Sequence, residues 1–434
     1  MNRQKTYELE AWKASPNRKP LILRGARQVG KTWLLKEFGS KHYQNTVYIN
    51  FEKSKHLQSL FDEDFDIKRV LVALQAETGK TISAHNTLII FDEIQAAPNA
   101  ISALKYFYED APQLHIVSAG SLLGVALHAQ TSFPVGKVQF MDLFPLSFHE
   151  FLEALGEKSL TDILLSNDWI LIKTFKPKYI ELLKQYYFVG GMPEAVVTFA
   201  KEFSFKDVRY VQQNILDAYE WDFSKHAPVE IISRIRMVWN SIPAQLAKEN
   251  RKFIYGVMKE GARAKEFEQA IEWLVNCGQI HKVFRVAKPA IPLKAYEDRG
   301  AFKIFLVDIG LLAAMGSIDS KTILEGNSIF NEFKGALTEQ YVLQQLIGDN
   351  NNSVFYWTAE NASAEVDFLV QYDARVIPIE VKAEENLQAK SLKVFHQKYK
   401  TPLNVRTSMS DFRQQDWLVN LPLYAISQLT SINF

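Results

Sequence analysis

At 434 residues the chain is too long for one ordinary domain, and two or three are expected. Hydrophobic residues make up 47%, enough for well-packed cores. The 50 basic and 49 acidic residues leave no global positive field of the kind that draws nucleic acid, so any such binding must be local. A single cysteine, Cys277, excludes a disulfide framework and suits a reducing compartment.

The start, Met1-Asn2-Arg3-Gln4-Lys5, leads into no apolar h-region, so no secretory signal is expected. With no apolar run near the ~20 residues that span a bilayer, the expectation is a cytoplasmic protein without a membrane partner. Nine histidines are scattered without an H-E-x-x-H or a Cys/His cluster, which argues against structural zinc.

Pro20-Leu21-Ile22-Leu23 reads as a short buried strand and Thr32 to Phe38 as a helix. Between them, Gly25-Ala26-Arg27-Gln28-Val29-Gly30-Lys31-Thr32 is a complete G-x-x-x-x-G-K-[ST] loop. Such a loop points backbone N–H groups at phosphate oxygens, and the helix N-terminus adds positive potential. The pattern assigns Lys31 to the β- and γ-phosphates of a nucleoside triphosphate and Thr32 to Mg²⁺.

Further strands are expected at Val47 to Phe51, Thr87 to Asp92, Leu114 to Val117 and Val138 to Leu143. Helices are expected at Ile67 to Glu77 and Ile101 to Tyr108. This alternation predicts a parallel sheet covered on both faces. Thr87-Leu88-Ile89-Ile90-Phe91-Asp92-Glu93 has the form of a Walker B strand. Asp92 is placed to bind Mg²⁺ through water and Glu93 to polarise the attacking water, an acidic pair that favours ATP hydrolysis. Ser118, after the fourth strand, is a candidate to sense the γ-phosphate.

Phe148 to Leu155 and Trp169 to Tyr187 read as helices of a small lid closed at Gly190-Gly191-Met192-Pro193, with Tyr186, Tyr187 and Phe188 in its core. Ile231 to Trp239, Pro243 to Asn250 and Ala264 to Asn276 read as three helices, with Cys277 packed in the core as part of a helix interior. Gly278 to Val286 and Phe302 to Val307 follow as extended segments, the order of a winged helix. The third helix mixes Arg263 and Lys265 with Glu266, Glu268 and Glu272, a balance better suited to protein contact than to DNA docking.

The last region reads as a helix (Asn331 to Ile347), a polar loop (Asp349 to Ser353), and strands at Val354 to Trp357, Val366 to Gln371 and Val376 to Val381. A helix (Leu387 to Tyr399) and a strand (Leu403 to Val405) complete it. A hairpin turning at Tyr372 to Arg375 can bring Asp367 beside Glu380 and Lys382, which share one strand face. Glu339 can point to the same place. Carboxylates around a divalent ion, with a lysine to orient water, make a workable phosphodiester hydrolysis site.

The motif D-x(12)-E-x-K and the element order around it resemble the PD-(D/E)XK nuclease fold, although Val366 stands where that name has proline. The whole chain resembles bacterial and archaeal AAA-type P-loop ATPases that carry a C-terminal domain of unknown function. The resemblance rests on Leu23 to Thr32, Asp92-Glu93-Ile94-Gln95, Pro145 to Phe151, Gly190 to Glu194, Asp308-Ile309-Gly310-Leu311-Leu312 and Glu365 to Phe368. It implies an α/β fold class. Expected in order are a P-loop NTPase parallel sheet with helices on both faces (1–150), a helical lid (151–205), a winged-helix-like middle (206–325) and an α/β restriction-endonuclease-like module (326–434).

ATP and Mg²⁺ are the expected cofactors, with DNA or another protein as partner of the C-terminal half and a homo-oligomer as a further expectation. The leading reading is an ATP-hydrolysing switch or motor. An ATP-regulated nuclease and a signalling scaffold with an inactive nuclease fold are the alternatives. Relatives usually carry Gly-Arg where this chain has Gly136-Lys137. Lysine lacks the planar donor fork of an arginine finger, which can be worth 10³ to 10⁵ in rate. Slow basal turnover is therefore expected unless Arg24, Arg27 or a neighbouring subunit fills that role.

Overall fold

The computed structural model describes residues 2–62, 64–121, 133–248, 252–325, 331–348, 353–360, 363–385 and 388–431. The expected loop residues Asp349 to Asn352, the Asn250 end of one expected helix and the Leu387 start of another lie outside these. The chain divides into two compact units, residues 2–144 with 276–279, and residues 145–275 with 280–434.

In the N-terminal unit, β1 (Leu21–Arg24), β2 (Asn45–Asn50), β3 (Thr87–Asp92), β4 (His115–Ala119) and β5 (Gln139–Asp142) form a sheet in the order β2-β3-β4-β1-β5. Every pairing is parallel. Parallel neighbours need long crossovers, and the helices Lys31–His42, Ile67–Thr78 and Pro98–Asp110 lie within them. All six residues of β3 are buried. Ile89 and Phe91 join the cluster of Phe51, Phe61 and Phe107, whereas Ile90, which alternation sends to the other face, is equally buried. Both faces are therefore covered, as the apolar run predicts. β4 extends to Ala119, so Ser118 lies within the strand, not after it.

The C-terminal unit holds a mixed sheet of eight strands: β6 (Ile280–Val286), β7 (Glu297–Leu306), β8 (Val354–Thr358), β9 (Glu365–Tyr372), β10 (Arg375–Val381), β11 (Val405–Ser408), β12 (Arg413–Gln414) and β13 (Val419–Pro422). Their order is β12-β13-β11-β10-β9-β8-β6-β7. The expected order of helix, three strands, helix and strand is present from Asn331–Gly348 to β11. The hairpin expected as a wing is instead part of this sheet, because β6 pairs in parallel with β8. Apart from residues 276–279, the segments expected at 151–205, 206–325 and 326–434 fall within this one compact unit.

Two helix boundaries differ from expectation. Val229–Leu246 is one helix with Pro243 inside it. Proline removes a single backbone donor, and burial of Ile235, Trp239, Ile242 and Leu246 holds the helix together across that gap. Conversely, the expected helix Trp169 to Tyr187 breaks at Phe175, with Pro177 in the first turn of the second piece, Lys176–Val189. Cys277 is buried as expected but follows the end of the helix Ala264–Asn276.

Two motifs far apart in sequence meet at Asp308. One oxygen of this buried carboxylate accepts the Gly191 N–H (2.6 Å) and the Gln344 amide (3.1 Å), and the other caps the helix Ile309–Met315 through the Leu311 N–H (3.1 Å). Glycine is required opposite: at Gly190 (φ +73°) a Cβ would lie 2.1 Å from Asp308 Oδ1, and at Gly191 it would lie 2.2 Å from the Leu146 carbonyl. Burial nonetheless outweighs these hydrogen bonds and raises the Asp308 carboxyl above its ordinary range.

Asp308→Ala, which strips buried donors of their acceptor, is expected to cost about 3 kcal/mol or more by chemical denaturation. A loss below about 1 kcal/mol would refute the junction. His149 is buried, with Nε2 3.0 Å from the Ser427 hydroxyl, and burial pushes its pKa down to about 4. A depressed folded-state pKa gives stability that is complete above the unfolded value of about 6.5 and is lost as pH falls toward 4. The wild type should lose up to about 3 kcal/mol over this interval that His149→Phe does not lose, measured as denaturation midpoints against pH.

Candidate functional site

The P-loop follows β1, which lies between β4 and β5 in the parallel sheet, where the strand order reverses. Gly25 (φ +146°) passes so close to β5 that a Cβ would stand 2.2 Å from the Leu143 carbonyl, while the Leu143 N–H bonds the Arg24 carbonyl at 2.8 Å. Gly30 (φ +93°) turns the chain into the helix Lys31–His42, whose start has no side-chain cap and so leaves N–H groups available. Ala26 and Val29 are buried and can offer only their backbone.

Lys31 is 8% exposed, and its ammonium donates to the carbonyls of Gly25 (2.9 Å) and Ala26 (2.7 Å). Burial lowers its pKa to about 8, against the raising effect of Glu93 and Asp92; Arg27 adds to the lowering. Asp92, 3% exposed at the end of β3, accepts the Thr32 hydroxyl at 2.9 Å and the Tyr48 hydroxyl at 2.7 Å, both on Oδ2. Glu93 leaves the strand in a left-handed conformation (φ +50°) and accepts the Gln95 amide at 2.6 Å. The Ser118 hydroxyl is buried and has no hydrogen-bond partner among the described residues.

The candidate arginines are engaged. Arg24 forms a two-pronged pair with Asp142 (2.9 and 2.8 Å), and Arg27 donates to the Ser121 hydroxyl at 3.1 Å. Lys137 pairs with Glu109 at 2.9 Å.

Two residues of this site escaped the sequence reading. Arg3, buried, donates to the Val29 carbonyl of the loop (3.1 Å) and to the Phe144 carbonyl (2.6 Å). No motif marks it. Tyr48 carries a signal that could have found it: Val47 and Ile49 face the core, so alternation sends Tyr48 and Asn50 to the other face of β2. Burial raises the Tyr48 phenol to about 12, and the Lys36 ammonium sits 3.7 Å from its ring centre.

A second polar cavity, of about 640 Å³, lies in the C-terminal unit and gathers Glu339, Asp367, Glu380 and Lys382, all four of the expected residues. Asp373 and Ala374, both with positive φ, make the tight turn between β9 and β10. The register of β9 and β10 runs to the pair of Ile379 with Phe368, next to Glu380 and Asp367 in sequence. Asp367 Oδ2 accepts the Val381 N–H at 2.7 Å, and Lys382 pairs with Glu380 Oε1 at 2.8 Å. Glu380 is 4% exposed and its Oε2 has no hydrogen-bond partner among the described residues; burial raises this carboxyl above its usual range. Among the described residues, no group of three or more His, Cys, Asp or Glu side chains is arranged to hold a metal ion.

Residues 17–152 match a family model described as AAA domain. Over this span the chain is similar to AAA domains, in keeping with its P-loop and parallel sheet. Residues 180–322 and 334–426 match two further models, each described as a domain of unknown function (DUF8612 and DUF4143). Among solved structures, a Walker-type ATPase of Pyrococcus abyssi is 16% identical, covers 72% of this chain and 95% of its own, and superposes with a TM-score of 0.44. The Thermotoga maritima RuvB Holliday junction branch migration motor is 14% identical, with coverages of 68% and 94% and a TM-score of 0.29. The Aeropyrum pernix Orc1 protein in complex with DNA is 13% identical, with coverages of 73% and 93% and a TM-score of 0.27. Comparison with curated proteins finds no match. Among the described residues no helix is long and apolar enough to cross a membrane.

The two hydroxyls on Asp92 generate a prediction. Tyr48→Phe removes one bond to a charged acceptor, worth about 1.5 to 3 kcal/mol, and should shift the Mg²⁺ dependence of ATP turnover to about tenfold higher Mg²⁺. An unchanged activation curve would assign Tyr48 to packing alone.

Proposed function

We propose that the chain binds ATP with Mg²⁺ and hydrolyses it slowly, as a cytoplasmic switch or motor whose output is made by the C-terminal unit. The observation that carries this reading is the contact of Thr32 with Asp92 beside the buried Lys31 ammonium. Loop N–H groups from Gly25 to Gly30 and Lys31 hold the phosphates, and Thr32 and Asp92 hold the ion. When bound, the ion neutralises charge on the phosphate oxygens. Glu93 orients water and accepts its proton, and Ser118 offers a buried hydroxyl toward the γ-phosphate side. Slow turnover follows from the engagement of Glu93 by Gln95 and of Arg24 and Lys137 by carboxylates. A neighbouring subunit of a homo-oligomer is the natural source of a free arginine.

We assign 151–205 to a lid, 206–325 to a winged-helix-like domain whose two strands join the sheet of the domain that follows, and 326–434 to a nuclease-like domain, facing DNA or a protein partner. A second reading, metal-dependent phosphodiester hydrolysis, is favoured by the polar cavity that gathers Asp367, Glu380 and Lys382. The orphan Glu380 Oε2 fits one hard cation held by Asp367 and Glu380, an ion that takes much of its shell from water and phosphate. Lys382 would steady the developing charge.

ATP binding and phosphate release, measured on the full chain, test the main reading. Lys31→Ala should abolish ATP binding, whereas Glu93→Gln should still bind and turn over about 10²- to 10⁴-fold more slowly. Wild-type binding and turnover in Lys31→Ala would falsify the proposal.

A further inference from the structure

Lys303, on β7, is a lysine with no exposed surface. Burying an ammonium costs several kcal/mol unless it is paired, and Lys303 is paired on two sides. It donates to Glu365 Oε1 and stands 3.8 Å from Glu339 Oε2, and its ammonium lies 4.9 Å from the centre of the Tyr356 ring. Glu339, Glu365 and Tyr356 all line the cavity that holds Asp367 and Glu380. The strand that delivers Lys303 lies outside the helix and strands that supply Asp367, Glu380 and Lys382, reaching the site only because β6 and β7 extend the same sheet.

The cavity is thus divided by charge. On one side, Glu339 and Glu365 share a cation that belongs to the chain. On the other, Asp367 takes a backbone N–H, and Glu380 pairs through Oε1 with Lys382, a lysine that unlike Lys303 reaches solvent and can withdraw, while its buried Oε2 has no hydrogen-bond partner among the described residues. We propose that Lys303 is the resident cation of this pocket: it occupies the Glu339 and Glu365 side, so that a single divalent ion binds at Asp367 and Glu380 and Glu339 is not a ligand. A second divalent ion would have to sit beside a fixed ammonium. Like charges held this close in a poorly solvated pocket repel strongly. The division rests on the second reading above, that the pocket takes a cation at all, and the experiment separates the two claims.

Mn²⁺ uptake is measured by electron paramagnetic resonance on the full chain without nucleotide, with Asp367→Asn marking the pocket and thermal melts checking the fold. The wild type should take up one Mn²⁺ that Asp367→Asn loses. Glu339→Gln should keep its affinity within twofold, and Lys303→Arg should match the wild type. Lys303→Met, which frees Glu339 and Glu365, should bind at least tenfold tighter or take a second ion. A tenfold loss in Glu339→Gln, or two ions in the wild type, would overturn the proposal. If the wild type binds none and Lys303→Met gains one, the metal reading fails and the role of Lys303 stands. If neither binds, both fail.

Discussion

A single carboxylate oxygen organises the N-terminal unit. Asp92 Oδ2 accepts hydroxyls from Thr32, at the start of the loop helix, and from Tyr48, on the neighbouring strand. It thereby ties three segments of the parallel sheet to one point. Burying a polar acceptor this deeply is costly unless donors converge on it. The alternation of β2, the continuous apolar run of β3 and the glycine turn into the loop helix are what bring those donors together.

The parallel sheet and loop could be read from the chain because their signals are local. The G-x-x-x-x-G-K-[ST] spacing, the apolar run ending at Asp92 and the alternation of element types each lie within a short window. Arg3 could not be found this way: its two carbonyl partners lie on the loop and beyond β5, and nothing in its neighbours announces a long-range hydrogen bond. Helix boundaries failed where proline was weighed in isolation. Pro243 sits inside a helix because four large side chains around it are buried, whereas Pro177 starts a new one.

The C-terminal unit shows the same division. The positions of Asp367, Glu380 and Lys382 follow from a two-residue turn and the period of a strand, so the sequence suffices. That the β6 and β7 hairpin belongs to the same sheet is a matter of which edge it pairs with, which local patterning does not encode. Lys303 was invisible for that reason. Likewise, the Gly190-Gly191 and Asp308 segments look like unrelated turns until the carboxylate is seen bridging them, after which each glycine has a steric cause.

Arg3 also changes where the nucleotide-binding domain begins. The family match starts at residue 17, yet the guanidinium that braces the Val29 carbonyl comes from the third residue of the chain. A fragment cut to the matched span would keep every motif residue and lose a strut of the loop itself. The boundary by homology and the boundary by mechanics are different places on this polypeptide.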